Sequence, residues 1–579
     1  MSLIFYMRIM GIIKRPALIL VFLVSVFLAA VAFWYSPVLF KGNSAEPMNA
    51  DQLVLARNYT QTGVIGSESE LNVVLAPELV RLSAKPSTSG NRFTVYSYAA
   101  IFKLFGWQNW NNLVLISIII TALSLVFFTL AAYYVFGSGV ALIFPFIFIF
   151  LPFNLQIAQG VATYEFALLY FSLFTAMYFF GRERKRAVVY GALAGLFLAL
   201  ACLSKEAFFI FMPILFFWQM WKRRFKELLA VFIPVGVILA IFWLPSMIGF
   251  GPGNDYSKLF VEKVQAENQY SDFWYYAHLF PDPYSYHFNH QQTIEKLNQD
   301  LASRDSNLVY KVDRLKLGKN LGLRSLNFSE WLAVGSFNLI AHVSKYFTIE
   351  FMGGPLIFLL MFLGFFELRK KDKNTYHLFL FWLISAPILI SFVVLAIRNH
   401  LMDFGFAVSA LVALGLIGLA SAISGKYFSG KYAQTACFLL SVLVVYNLIL
   451  ADHVYLGRGY DNNTNLGLEY LADKVSAYNL PSNAVIAVGI RSAHPILNYL
   501  TGKSVVYFNP ETINFLVKEN KLQDAFDKFG VKYIAGYDKE LSDLIIKSSA
   551  VENLADWVDP GDLEIPVNDT NGWLLNLIK

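Results

Sequence analysis

The residues best suited to chemistry in this chain are few, and they stand at the ends of long apolar runs. Asp51 opens the stretch Asp51-Gln-Leu-Val-Leu-Ala-Arg57-Asn-Tyr-Thr-Gln-Thr-Gly63, fifteen residues after the first such run ends at residue 36. Glu165, in Ala162-Thr-Tyr-Glu-Phe, heads another run, Lys205-Glu206 interrupts a third, and Arg398-Asn-His400-Leu-Met-Asp403 separates two more. Two carboxylates with cations nearby suit the activation of an acceptor, one carboxylate taking its proton while the cations neutralise a departing phosphate. Each residue also has an ordinary structural reading. Asp51 would serve as the N-cap of a short helix that Gly63 stops, and Glu165 as a first-turn acid favoured by the helix dipole. Lys205 would snorkel to an interface, and Arg398 and His400 would meet lipid headgroups. What decides between the two readings is whether the elements that carry these residues bring them to one level of one face.

Composition sets the class of those elements. Of 579 residues, 57% are hydrophobic and only 15% charged, with a mean hydropathy of +0.52. Those values exclude an ordinary soluble enzyme and call for a polytopic membrane protein. The 54 Phe suit helices that face lipid. Cys202 and Cys437 both lie inside apolar runs, so neither a disulfide framework nor a thiolate metal site is available. The eight His show no metal-ligand spacing, and the net charge of +6 is small; no nucleic-acid partner is implied.

Apolar runs occupy about residues 16–36, 112–136, 139–153, 163–180, 187–204, 205–221, 228–249, 354–368, 376–397, 402–423 and 433–451. The expected fold class is therefore a polytopic α-helical membrane protein of about eleven transmembrane helices. The first run reads as an uncleaved helix, because no small-x-small site follows it. Long polar loops at 37–111 and 250–351 interrupt the series, and Val95–Phe105 within the first is amphipathic and suits an interface. A cytoplasmic N-terminus puts the short basic clusters Arg182–Arg186, Lys222–Lys226, Arg369–Lys373 and Lys426 with Lys431 on the inner side. The opposite short loops then hold Lys205 and Arg398, so the chemically interesting charges share the outer face. Residues 452–579 change character: strand-like runs Ala484–Gly489, Ser504–Phe508 and Val531–Ala535 alternate with helical patterns at Leu466–Tyr478 and Ile513–Phe529. They read as a small extracytoplasmic α/β domain following a membrane domain of residues 1–451. No Walker or GxGxxG phosphate loop is present.

The order of these motifs resembles the GT-C glycosyltransferases that use polyprenyl-phosphate sugars, the superfamily of protein O-mannosyltransferases and the lipid A aminoarabinose transferase. There a first helix leads to an outer acidic motif with an Ala-Arg-Asn-like helix, as in Asp51 to Tyr59. A juxtamembrane segment ending in Phe-Gly follows, as in Ala100 to Gly106. A second acid starts a helix (Glu165), a Gly-Leu…Leu-Lys turn comes next (Gly195 to Lys205), and a basic helix start closes the membrane part (Arg398-Asn-His400). The resemblance covers about residues 1–451. It departs at Gln52, where members often have a second carboxylate, and at Asn91-Arg92-Phe93, where many have His-Pro-Pro; both leave metal use and donor identity open.

The resemblance implies an inverting membrane transferase that moves a sugar from a polyprenyl-phosphate donor to an extracytoplasmic protein, lipid or envelope-glycan acceptor. Asp51 and Glu165 would be catalytic, Asp51 as the base. Lys205, Arg92, Arg398 and His400 would hold the donor phosphate, and Arg57, Tyr256, Trp274 and Tyr284 the sugar or acceptor. Interfacial anchoring accounts equally well for the three aromatics. No cofactor is required, although a divalent cation stays open. A lipid-linked glycan flippase would instead carry charges in mid-helix, and a non-catalytic polysaccharide-binding membrane protein would need no carboxylate pair.

Overall fold

The computed structural model describes residues 15–35, 50–62, 66–67, 72–73, 85–86, 92–106, 110–152, 154–155, 164–181, 187–248, 332, 336, 339–340, 343, 347, 352–389, 391–392, 404–427, 433–457, 463–481, 483–489, 493–508, 510–518 and 520–555. A helix occupies each apolar run named above. Helix α1 (Arg15–Tyr35) comes first, then α2 (Ala50–Thr62), two-residue strands β1 (Gly66–Ser67), β2 (Asn72–Val73) and β3 (Lys85–Pro86), and α3 (Arg92–Phe105). Helices α4 (Trp110–Phe136), α5 (Ser138–Phe150), α6 (Glu165–Gly181) and α7 (Ala187–Ser204) follow, then a 3₁₀ turn (Glu206–Ile210), α8 (Phe211–Trp221) and α9 (Phe225–Ile248). After the second long loop come α10 (Pro355–Lys371), α11 (Lys373–Leu389), α12 (Phe404–Tyr427) and α13 (Ala433–Gly457). Among the described residues, four helices are long and apolar enough to cross a membrane, within α4, α7, α9 and α12; the other apolar helices have shorter qualifying stretches or carry more charge.

Local chemistry explains the sharp reversals. Gly137, at φ 89°, separates α4 from α5 by a single residue, a conformation that a β-carbon would strain. Asp372 divides α10 from α11, and its carboxylate accepts from the backbone N–H groups of Asn374 and Thr375 at 2.9 and 3.2 Å. The bundle core is aromatic: Trp382 meets Phe211 edge-on with centroids 4.6 Å apart, and Phe128 stacks on Phe406 at 5.4 Å. Backbones touch where glycines allow it. A β-carbon at Gly195 of α7 would fall on the Val231 carbonyl oxygen of α9, and one at Gly364 of α10 on that of Leu411 in α12.

The C-terminal segment contains α14 (Asn463–Ala477), β4 (Val485–Val488), α15 (Ala493–Thr501), β5 (Ser504–Phe508), α16 (Pro510–Lys518), α17 (Leu522–Phe529), β6 (Val531–Ala535), α18 (Lys539–Ser548) and β7 (Glu552–Ala555). The expected single helical pattern at Ile513–Phe529 is corrected to two helices. The chain breaks at Asn520, whose φ of 53° lies in the left-handed region that Asn tolerates. The sheet has five strands in the order β2-β5-β4-β6-β7, every pair parallel. Its edge strand β2 comes from the stretch between α2 and α3, with Asn72 opposite Tyr507 and Val73 opposite Phe508.

Candidate functional site

Helix α2 begins at Ala50, so Asp51 lies inside its first turn rather than flanking it as an N-cap, and the helix ends at Thr62, one residue before Gly63. Leu53, Leu55 and Ala56 bury its inner face against Val95, Tyr98, Ala99 and Phe102 of α3, with Leu113 and Ile120 of α4 and Phe166 of α6. Tyr59 meets Tyr96 edge-on at 5.1 Å, and the Thr60 hydroxyl donates to the Ala56 and Ala99 carbonyls at 2.8 and 3.4 Å. The juxtamembrane helix α3 is thus the bed on which the Asp51 helix lies. Gln52 is buried at 5% exposure.

Glu165 is the first residue of α6 and is 1% exposed. Burying a carboxyl group is costly unless hydrogen bonds replace its water. Here the Tyr98 hydroxyl of α3 donates to Oε1 at 3.1 Å and the Ser117 hydroxyl of α4 donates to the same oxygen at 2.7 Å. Three helices therefore converge on this carboxyl. The Tyr98 ring also packs edge-on against Phe166 at 5.2 Å, which fixes the hydroxyl's direction. A group so enclosed is suited to holding α3, α4 and α6 in register.

Lys205 caps the 3₁₀ turn in an extended conformation between α7 and α8. Its Nζ lies 4.7 Å from the centroid of the Tyr164 ring, a cation–π contact that sets the lysine beside the residue preceding Glu165. The neighbouring Ser204 carbonyl accepts from the Thr94 hydroxyl at 3.0 Å. One helix, α3, consequently touches the Asp51 helix through Val95 and Tyr98, Glu165 through Tyr98, and the Lys205 turn through Thr94. Arg92 is the first residue of this same helix.

Arg57 reaches the C-terminal segment. Its Nη1 donates to the Asn498 carbonyl of α15 at 3.1 Å, and its Nη2 donates to Asn498 Oδ1. Burial lowers its pKa, with the adjacent Tyr499 opposing. Burial likewise pushes the Tyr499 phenol up to about 12 against the pull of Arg57. Arg398, His400, Tyr256, Trp274 and Tyr284 lie outside the described residues.

Tyr98, Ser117, Thr94, Tyr164 and Asn498 do not stand out in the sequence. Thr94 and Tyr98 lie one helical turn apart in an amphipathic segment, which is a usable signal. Ser117 is one hydroxyl inside an apolar run and offers none. Among the described residues, no three His, Cys, Asp or Glu side chains group as metal ligands would.

No protein-family profile matches the chain, and no curated protein sequence does. Solved structures do. The oligosaccharyltransferase AglB from Archaeoglobus fulgidus, in complex with an inhibitory peptide and a dolichol-phosphate, aligns over 90% of this chain and 69% of its own at 14% identity, with a TM-score of 0.51. The fold is shared with an archaeal oligosaccharyltransferase. The same enzyme tethered to an acceptor peptide containing the NVT sequon gives a TM-score of 0.52, again at 14% identity over 90% of this chain and 69% of that one. ArnT from Cupriavidus metallidurans bound to undecaprenyl phosphate aligns over 93% of this chain and 90% of its own at 10% identity. Its TM-score of 0.36 marks a weaker likeness, and the fold rests on AglB. What the chain shares with AglB is thus the fold, at 14% sequence identity.

Proposed function

We propose that this chain is a membrane glycosyltransferase that takes a sugar from a polyprenyl-phosphate carrier and delivers it, with inversion, to an extracytoplasmic acceptor. The observation that carries this reading is the convergence on α3: the Asp51 helix, the buried Glu165 and the Lys205 turn all pack on one juxtamembrane helix, within a fold shared with AglB. AglB's complex with a dolichol-phosphate supports a lipid-phosphate carrier for this chain.

In this reading Asp51 accepts the proton of the acceptor's nucleophile as the nucleophile attacks the anomeric carbon. The bond to the carrier phosphate breaks on the opposite face. Lys205, with Arg92, Arg398 and His400, stabilises the phosphate as it leaves. Glu165 sets the positions of α3 and α4 around that centre, and Tyr256, Trp274 and Tyr284 stack on the sugar or acceptor. Residues 1–451 form the membrane domain, with eleven spans and a cytoplasmic N-terminus, and residues 452–579 an extracytoplasmic domain. The contact of Arg57 with Asn498 supports placing α2 and the C-terminal segment on the same side.

Two measurements test this. Purified protein in lipid nanodiscs is given a polyprenyl-phosphate sugar and an acceptor. Asp51→Asn retains shape but not proton acceptance, and we expect it to lower turnover roughly 10²-fold or more at unchanged protein level. Wild-type turnover in that variant removes Asp51 from the mechanism; a wild type that binds glycan without transfer leaves a polysaccharide-binding protein. For orientation, cysteines placed at Ser482 and Lys185 are treated with an impermeant thiol reagent in intact cells. Labelling at 482 and protection at 185 is expected, and the reverse pattern defeats the eleven-span arrangement.

A further inference from the structure

Two separate contacts tie the first outer loop to the C-terminal segment. Arg57, six residues after Asp51 on α2, forks onto the carbonyl and the side-chain oxygen of Asn498. Asn498 is itself fixed, being 7% exposed and donating through Nδ2 to the Lys503 carbonyl at 2.7 Å. Lys503 in turn donates from Nζ to the Leu480 and Pro481 carbonyls at 2.6 and 3.1 Å, anchoring the end of α15 to the start of the sheet. Next to Asn498, the Tyr499 ring packs on the apolar cluster shared by α2 and α3. Further along the same loop, β2 adds itself in parallel to the free edge of β5. The loop is thus held at two places: on the C-terminal half of α15 through Arg57, and on the strand that follows through β2.

A planar guanidinium on two acceptors of one residue fixes direction as well as distance. Helix α2 has thirteen residues, a length at which an isolated helix is marginal in water, so its stability must come from what it packs on. On one side that is α3; on the other it is α15. We infer that the C-terminal segment acts as a clamp on α2, with Arg57 and Asn498 as positioning residues that set the axis of the helix carrying Asp51. This deepens the reading of Asp51 as base and rests on it. It assigns Arg57 to holding the helix and not to touching sugar, and it makes the C-terminal segment part of the transfer machinery.

The test uses Asn498→Ala and Asn498→Asp in the full-length protein in nanodiscs. Amide hydrogen exchange is followed separately over α2 and over α12, which lies in the bundle far from the clamp in sequence. Transfer kinetics are measured on the same preparations. The alanine variant should raise exchange in α2 about tenfold with α12 unchanged. It should also lower kcat about tenfold while leaving the donor KM within about twofold, because ordered carrier contacts are not removed. The aspartate variant keeps an acceptor oxygen for Arg57 but loses the donor to the Lys503 carbonyl, so it should restore both only in part. Unchanged α2 exchange overturns the clamp, as does a rise shared equally by α12, which would mark general loss of stability. A loosened α2 with unaltered kcat overturns the link to catalysis. If the wild type transfers no sugar, the glycosyltransferase reading and the kinetic half of the inference fall together, and the exchange measurement alone then upholds or removes the clamp.

Discussion

Helices meet by different means in the apolar bundle and in the layer packed around α3. Where α10 crosses α12, side chains are absent from the closest contacts. Gly364 lies against the Leu411 backbone and Gly415 against the Leu360 carbonyl, with no room for a β-carbon at either position. Where α3 meets α4 and α6, the contact is made by side chains that carry oxygen: Tyr98 and Ser117 donating to Glu165, and Ser97 within 3.1 Å of the Tyr170 hydroxyl. The first arrangement maximises close packing in a setting where apolar surface alone gives helices no reason to associate. The second exposes the fold to the cost of a buried carboxyl group, which only a full set of hydrogen bonds removes. A layer built in the second way gains direction, and direction is what a site needs.

That contrast can be broken at three points of decreasing effect. Gly415→Val should destabilise the bundle toward the upper end of the about 1–3 kcal/mol typical of overpacking, since its β-carbon meets backbone, which cannot rotate away. Thermal unfolding in detergent reads the loss directly, and a wild-type transition would mean that the crossing is looser than described. Tyr98→Phe retains the ring against Phe166 and removes only the donor to Glu165. We expect about 1–2 kcal/mol of lost stability, with transfer reduced more than thermal stability suggests because the α3–α6 register relaxes. Equal, small losses in both would reduce Glu165 to a structural acid. Gly236→Ala, on α9, is the counter-case. Nothing stands within 4 Å of its added β-carbon, so the helix should gain about 0.5–1 kcal/mol from reduced backbone freedom in the unfolded chain, and a destabilised variant would reveal a packed neighbour there.

The bundle is legible in the sequence and the layer around α3 only half so, for a physical reason. A lipid-facing helix is specified by composition over some twenty residues, a signal that survives divergence; the runs at 187–204 and 205–221 meet α7 and the 3₁₀–α8 unit with little displacement. Ser504–Phe508 and Val531–Ala535 coincide with β5 and β6 because buried parallel strands are written as short continuous apolar runs. The two-residue strand β2 is too short to leave a pattern, and its pairing is chosen by an edge made more than four hundred residues later. Glu165 stands out as a charge in the wrong medium. Its donors do not, since one hydroxyl on a neighbouring helix looks like any other until the helices are placed. Arg57 is conspicuous by its type, yet its bond to Asn498 is not legible, because nothing in its own helix points to that partner.

The separation between Arg57 and Asn498 is 441 residues, and it has a consequence during synthesis. At roughly 5–20 residues per second, α2 is made roughly 20–90 seconds before its partner exists. Through that interval the helix has α3 to lie on but not α15, and the loop's edge strand has no sheet to join. Through that stretch of synthesis the Asp51 helix is without its Asn498 contact, and the segment that carries Asn498 fastens it when it folds.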